Sequence, residues 1–222
     1  MLKTLAARLA ALALMPVALL PLSAAQAQAQ PGQPAPAIAT VDIAGKPFNL
    51  ASFKGRHVVL EWFNPSCPFV VKHYGSGNMQ ALKKRFTGEN VVWVAIKSTA
   101  ASHPEYLPPA RAGAWMTEQK GVPTHVVLDA AGTIGRAYGA RTTPQMVIVD
   151  PKGQVVFNGA IDSIRSANPA DIPKATNFVV QAFDEIKAGK PVSNASPAPY
   201  GCSVKYAAGL ASSPRCARAL RR

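Results

Sequence analysis

Val58-Val59-Leu60-Glu61-Trp62-Phe63-Asn64-Pro65-Ser66-Cys67-Pro68-Phe69-Val70-Val71-Lys72-His73-Tyr74 is the stretch around which this chain is organised. Three apolar residues, one acid and two aromatics read as a buried strand, which Asn64-Pro65-Ser66 breaks. Cys67 follows, with Pro68 directly behind it. Proline is favoured at the first helical position, where its missing N–H would have had no partner anyway. Cys67 is therefore placed at or beside a helix N-cap. The free N–H groups and the positive dipole end there favour a thiolate over a thiol. Lys72 and His73, one to two turns on, would add to that field if they faced the sulfur. A strand that delivers a cysteine to a helix start suits a nucleophilic sulfur. The plainer alternative is a structural cysteine, since free cysteines are among the most buried residues.

Working outward, Asn90 to Ile96 (NVVWVAI) is a second, almost wholly apolar run, as expected of a strand covered on both faces. His125 to Asp129 reads as a third strand. Gln145 to Val149 and Gln154 to Asn158 form a hairpin across Asp150-Pro151-Lys152-Gly153, with proline early in the turn and glycine at its end. Before the central stretch, Val41 to Leu50 reads as two short strands around Ala44-Gly45. Helices are expected from Pro68, from Met79 to Phe86 with Asn78 as cap, from Pro109 to Lys120, from Ile134 to Tyr138 and from Asn168 to Ala188. The order β-β-α-β-α-β-α-β-β-α predicts an α/β fold with a mixed central sheet and helices on both faces.

The ends read differently. Lys3 and Arg8 form a basic start, Leu9 to Leu22 is an apolar run of about 14 residues, and A-x-A-like sites follow at Ala25-Gln26-Ala27 and Ala27-Gln28-Ala29. The run is short for a membrane span, so residues 1–29 are expected to be a signal peptide. The protein is expected to be exported, and periplasmic if its source is Gram-negative, with no stable membrane insertion after cleavage. Formal net charge is +13, and +11 without Lys3 and Arg8. No recognition motif or aromatic-interleaved basic run accompanies it, so nucleic acid is not an expected partner. The three cysteines, Cys67, Cys202 and Cys216, are not spaced for a zinc finger or ribbon, and no Cys-x-x-Cys-His haem site occurs. Neither a metal nor a cofactor is expected.

The segment Val58 to Val70, Thr142-Thr143-Pro144 before the hairpin, Asn158-Gly159-Ala160-Ile161-Asp162 after it, and Gly201-Cys202-Ser203-Val204-Lys205 together resemble the thioredoxin fold in its exported, peroxiredoxin-like redoxin branch. The resemblance implies a thioredoxin-like three-layer sandwich over residues 38–192, while composition alone makes 30–37 a flexible, proline-rich leader and 193–222, rich in Ser, Ala, Pro and Arg, a partly ordered tail. The resemblance implies that Cys67 is the attacking cysteine and that Pro144 is a cis-proline turning the backbone of Thr143 toward the thiol, free to hold an extended substrate. It also implies that Glu61 is a buried proton acceptor; the alternative is a salt bridge at the sheet end. Two departures stand out. Val70 occupies the place of the second cysteine of Cys-x-x-Cys, and Asn64 and Leu60 stand where a peroxiredoxin carries threonine and proline.

A thiol that turns over needs a resolving partner. Cys202, on a glycine-containing segment after the last helix, is the candidate; it can instead pack elsewhere or pair with Cys216. His73 is expected to face solvent, and Trp62 and Phe63 to lie in the core. The expected activity is that of a thiol–disulfide oxidoreductase or peroxiredoxin-like antioxidant. Its partners would be a protein thiol or disulfide, or a peroxide, and an electron-donor protein. The alternative is a redox-inert binding module of the same fold for a protein or metal.

Overall fold

Alternation along 58–63 sorts side chains onto two faces of one strand, and both faces are covered. The structure, a computed structural model, describes residues 28–208. The expected signal peptide up to residue 27 and the last cysteine, Cys216, lie outside the described residues. Val58, Leu60 and Trp62 pack into one core cluster, and Val59 and Phe63 into another. This is the period of two that a pleated strand imposes.

The strand, β3 (Val58–Trp62), sits at the centre of a five-stranded sheet. On one side it pairs in parallel with β4 (Val92–Lys97), which pairs in parallel with β5 (His125–Leu128). On the other it pairs antiparallel with β7 (Gln145–Val149), which forms the expected hairpin with β8 (Val155–Gly159). The first face carries α1 (Pro68–Gly75), α2 (Asn78–Gly88), part of α3 (Pro109–Glu118) and α5 (Phe178–Lys187). The second carries α4 (Thr133–Ala137) and the segment around β1 (Ala39–Val41) and β2 (Pro47–Asn49), through Ile38, Phe48 and Leu50. The arrangement is the three-layer α/β sandwich. Trp62, Trp93 and Phe157 are fully buried, each contributing on the order of 1.5–3 kcal/mol by leaving water.

The long helix expected over 168–188 is two pieces. A 3₁₀ segment, Pro169–Lys174, precedes α5, and the break falls at Ala175 to Asn177. Pro173 removes a backbone donor, and the Asn177 side chain accepts from the N–H groups of Val179 and Val180 to start the second piece. Asn78 does not cap α2 either. Gly77 takes that position in the left-handed region (φ 77°), and the Asn78 amide instead donates to His73 Nδ1 at 2.8 Å.

Residues 30–37 carry a leader's composition, yet their backbone lies along the sheet. Gly32 N–H donates to Val155 O, Val155 N–H to Gln33 O and Ala35 N–H to Gly153 O, all at 2.8–2.9 Å. At the other end, Asn158 N–H donates to Ala195 O and Ala160 N–H to Pro197 O, so the segment after α5 covers the β8 edge. Gly159 permits it, because a Cβ there would stand 2.3 Å from Pro197 O. The chain then crosses to a small second sheet, β6 (Thr142–Thr143) with β9 (Cys202–Ser203).

Candidate active site

Cys67 is the N-cap of α1, with Pro68 at the first helical position, as the sequence predicts. Its N–H donates to Asn64 O at 3.0 Å, closing the turn that follows β3, and its carbonyl accepts from Val70 and Val71. The side chain makes no capping bond. It points to the loop before β7, where Sγ lies 3.0 Å from Thr143 O. The Thr143–Pro144 bond is cis.

The backbone of Thr143 is not free for a substrate. β9 pairs antiparallel with β6, with Thr142 opposite Ser203 and Thr143 opposite Cys202. Strand pairing therefore sets Cys202 beside Cys67. Gly201 makes the approach possible: its φ is 131°, and a Cβ would lie 1.9 Å from Thr143 O. Beyond it, Val204 N–H donates to Arg141 O, Ala100 N–H to Lys205 O and Tyr206 Oη to Ala140 O. The result is a strap over the helix start. Cys67 is fully buried beneath it, while Cys202 keeps partial exposure.

Burial pushes the Cys67 thiol up, but the Cys202 thiol, the Thr143 side chain and the N–H groups of Cys202 and Val70 outweigh burial, so its pKa falls below the ordinary value. Cys202 moves the other way, raised by burial, by its hydrogen bond to Cys67 and by the charge on Cys67. The pair is therefore unequal, with Cys67 the more acidic thiol and Cys202 the less acidic one.

Lys72 and His73 do not add to that field. Both are buried and turned to Asp162. Lys72 Nζ lies 3.2 Å from Asp162 Oδ2 and also donates to Ile164 O. The pKa of His73 falls to about 4, chiefly through burial, so the ring is neutral. The Tyr200 hydroxyl donates to the other Asp162 oxygen. Tyr200 also meets Phe69 of α1 edge-on. This cluster, for which the sequence offered no signal beyond Asp162 in its motif, ties α1 to the residue two positions before Cys202.

Glu61 lies between Ala95 and Met146 in the sheet register and is fully buried. Its oxygens accept from Tyr74 Oη at 2.7 Å and Trp93 Nε1 at 2.8 Å, and Lys83 Nζ stands at 3.0 Å. Among the described residues, no hydrogen bond joins Glu61 to either sulfur. Lys97, at the end of β4, was missed by sequence reasoning although it closes an apolar run. It donates to Asn64 Oδ1 at 3.1 Å and to Thr99 Oγ1 at 3.0 Å, and burial lowers its pKa to about 8. It braces the turn that carries Cys67. Among the described residues, no three His, Cys, Asp or Glu side chains are grouped to hold a metal ion.

A thiol at a helix start, facing the loop before the antiparallel half of a mixed sheet, defines a thioredoxin-fold protein with a redox role. The Redoxin family profile matches residues 30–177, and the chain belongs to that family. Two solved structures are similar over most of their length. A hypothetical protein from Sinorhizobium meliloti 1021 is 27% identical, with 82% of this chain and 98% of that one covered, at a TM-score of 0.66. An uncharacterized conserved protein from Geobacillus kaustophilus is also 27% identical, with 80% and 93% covered, at a TM-score of 0.70. A putative thioredoxin from Neisseria meningitidis, 21% identical over 73% of this chain and 95% of that one, shares the fold at a TM-score of 0.50. No curated protein matches the chain.

Proposed function

We propose that this Redoxin-family protein is an exported thiol–disulfide oxidoreductase or peroxiredoxin-like antioxidant that cycles between a Cys67/Cys202 dithiol and its disulfide. The observation that carries the reading is the pairing of Thr143 with Cys202 while Cys67 Sγ contacts Thr143 O. One backbone residue thus holds both sulfurs at one place. Cys67 is the nucleophile and Cys202 the resolving thiol. With a disulfide substrate, the Cys67 thiolate attacks one sulfur and expels the other as thiolate. Cys202, deprotonated, then attacks Cys67 and expels the second. With a hydroperoxide, Cys67 takes one oxygen to become a sulfenic acid and an alcohol or water leaves. Cys202 then displaces water to close the disulfide. Two electrons leave the protein on either route.

The leader-like first 29 residues support export, and among the described residues no helix is long and apolar enough to cross a membrane. An electron-donor protein in the same compartment would restore the dithiol.

Mass spectrometry of the unreduced protein is the test. The expected linkage is Cys67–Cys202; a linkage of Cys202 to Cys216 alone would remove the resolving step. The ultraviolet absorbance of the thiolate, followed against pH, should titrate below the ordinary thiol value of about 8.5. Replacing Cys202 with serine should move that midpoint upward or weaken its separation from bulk thiols.

A further inference from the structure

The two sulfurs do not face the same partners. Cys67 is enclosed by α1, by Thr143 and by the strap, with no exposed surface. Cys202 lies on the strap itself and remains partly exposed. The strap occupies the backbone positions of Thr142 and Thr143 that would otherwise receive an extended peptide. It does so as a β-strand, with a cysteine opposite Thr143. In effect the chain carries its own substrate-like strand, already seated.

Thiol–disulfide exchange proceeds by attack of a thiolate along the S–S axis, and the thiol of lower pKa leaves faster. Both requirements select the same sulfur. Approach to Cys67 from the side opposite its partner runs through the protein interior. Approach to Cys202 comes from solvent. The geometry points to Cys202 as the sulfur that an external thiol attacks when the oxidised protein is reduced, with Cys67 as the leaving group. This rests on the Cys67–Cys202 redox centre proposed above and adds the order of events to it.

In the first step the external thiolate RS⁻ bonds to Cys202 Sγ, the Cys67–Cys202 bond breaks, and the electron pair leaves on Cys67. In the second, another thiolate attacks the sulfur of R in the mixed disulfide, releasing RSSR and Cys202, which takes a proton from water. The reductant is any thiol of the compartment, small or carried by a protein. Because the displaced Cys67 thiolate keeps its donors from Val70 and from the strap, the strap need not lift. A substrate that Cys67 must attack directly has the opposite requirement: it must be small enough to pass beneath the strap, or the strap must come away.

The experiment uses full-length protein with Cys216→Ser, oxidised and then given a limiting amount of reduced glutathione. Acid quenching, alkylation and peptide mass spectrometry then locate the glutathione. It is expected on Cys202, in at least about tenfold excess over Cys67. Glutathione found mainly on Cys67 overturns the order of attack and leaves the redox centre intact. Failure of the oxidised protein to form a Cys67–Cys202 bond overturns the redox-centre reading and this inference together. A second variant, Gly201→Ala, drives a Cβ into Thr143 O and so unseats the strap from β6 without touching the five-stranded sheet. There the share of glutathione on Cys67 is expected to rise several-fold; an unchanged share overturns the role of the strap.

Discussion

Two buried ionic clusters lie on the helical side of this sheet, and they differ in what they join. Glu61, Lys83, Tyr74 and Trp93 form the inner one. Lys83 donates to Tyr74 Oη at 2.6 Å, Tyr74 donates to Glu61, and Trp93 takes the second carboxylate oxygen. Every member is satisfied, and all come from β3, β4, α1 and α2. The outer cluster, Asp162 with Lys72, His73 and Tyr200, joins α1 to the loop after β8 and to the C-terminal strap. It is less complete. The Asn78 amide donates to His73 Nδ1, leaving Nε2 with no hydrogen-bond partner and 3.7 Å from Asp162. The inner cluster fastens the core to itself. The outer one fastens the core to the segment that carries Cys202.

The sharpest way to break this contrast is to remove each acid in turn. Glu61→Ala leaves Lys83 buried without its counter-charge, and Asp162→Ala does the same to Lys72. Removing one member of a buried pair costs about 3–5 kcal/mol, so denaturant unfolding should show similar losses for both. Their effects at the sulfurs should diverge. Asp162→Ala releases Tyr200 and should raise the rate at which a bulky maleimide labels Cys67 several-fold. Glu61→Ala should leave that rate and the thiolate midpoint unchanged. A shifted midpoint in the Glu61 variant would instead mark it as the proton acceptor that the family resemblance implies.

The next effect is on pH. His73 has a folded pKa of about 4 against about 6.5 for the free side chain. Between those values the unfolded chain binds a proton that the folded protein does not, so stability rises with pH across that window. The contribution is complete above about 6.5 and is lost as the pH falls toward 4. The shift corresponds to about 3 kcal/mol. Urea unfolding at several pH values should show this slope, and His73→Gln should flatten it.

Smaller still is Tyr200→Phe, which deletes one hydrogen bond to a charged oxygen while keeping the contact with Phe69. A loss of about 2 kcal/mol is expected, accompanied by faster hydrogen exchange at the Val204 amide that pairs with Arg141. Asn177→Ala removes the cap of α5 and should cost about 1 kcal/mol. Its backbone bridges to that of Asp162, but its side chain serves the N–H groups of Val179 and Val180, so thermal unfolding should register the change while Cys67 labelling should not. A labelling change there would mean that the strap answers to general loosening of the fold.

Much of the architecture was legible because local rules and burial agree. The apolar runs at 58–63 and 90–96, the Asp-Pro-Lys-Gly turn and the Cys-Pro helix start each have one satisfactory local solution, and the sheet is built from them. The single helix expected over 168–188 is two pieces because its apolar spacing masks Pro173 and the capping by Asn177. His73 and Lys72 are buried where their positions on a helix suggest otherwise, for a different reason. Polar residues on a helix read as exposed unless a partner is known, and Asp162 is 90 residues away from Lys72.

By itself, the sequence determined that a cysteine would stand at the start of a helix after a central strand, since strand period, turn and proline are encoded within a few neighbours. Only the tertiary structure decided that this sulfur would be roofed by the strap and matched with Cys202. That pairing depends on backbone hydrogen bonds between residues some sixty positions apart in sequence and on a glycine small enough to let the two strands meet. Neither leaves a trace in local composition, because the distance between two segments is set by the fold that separates them.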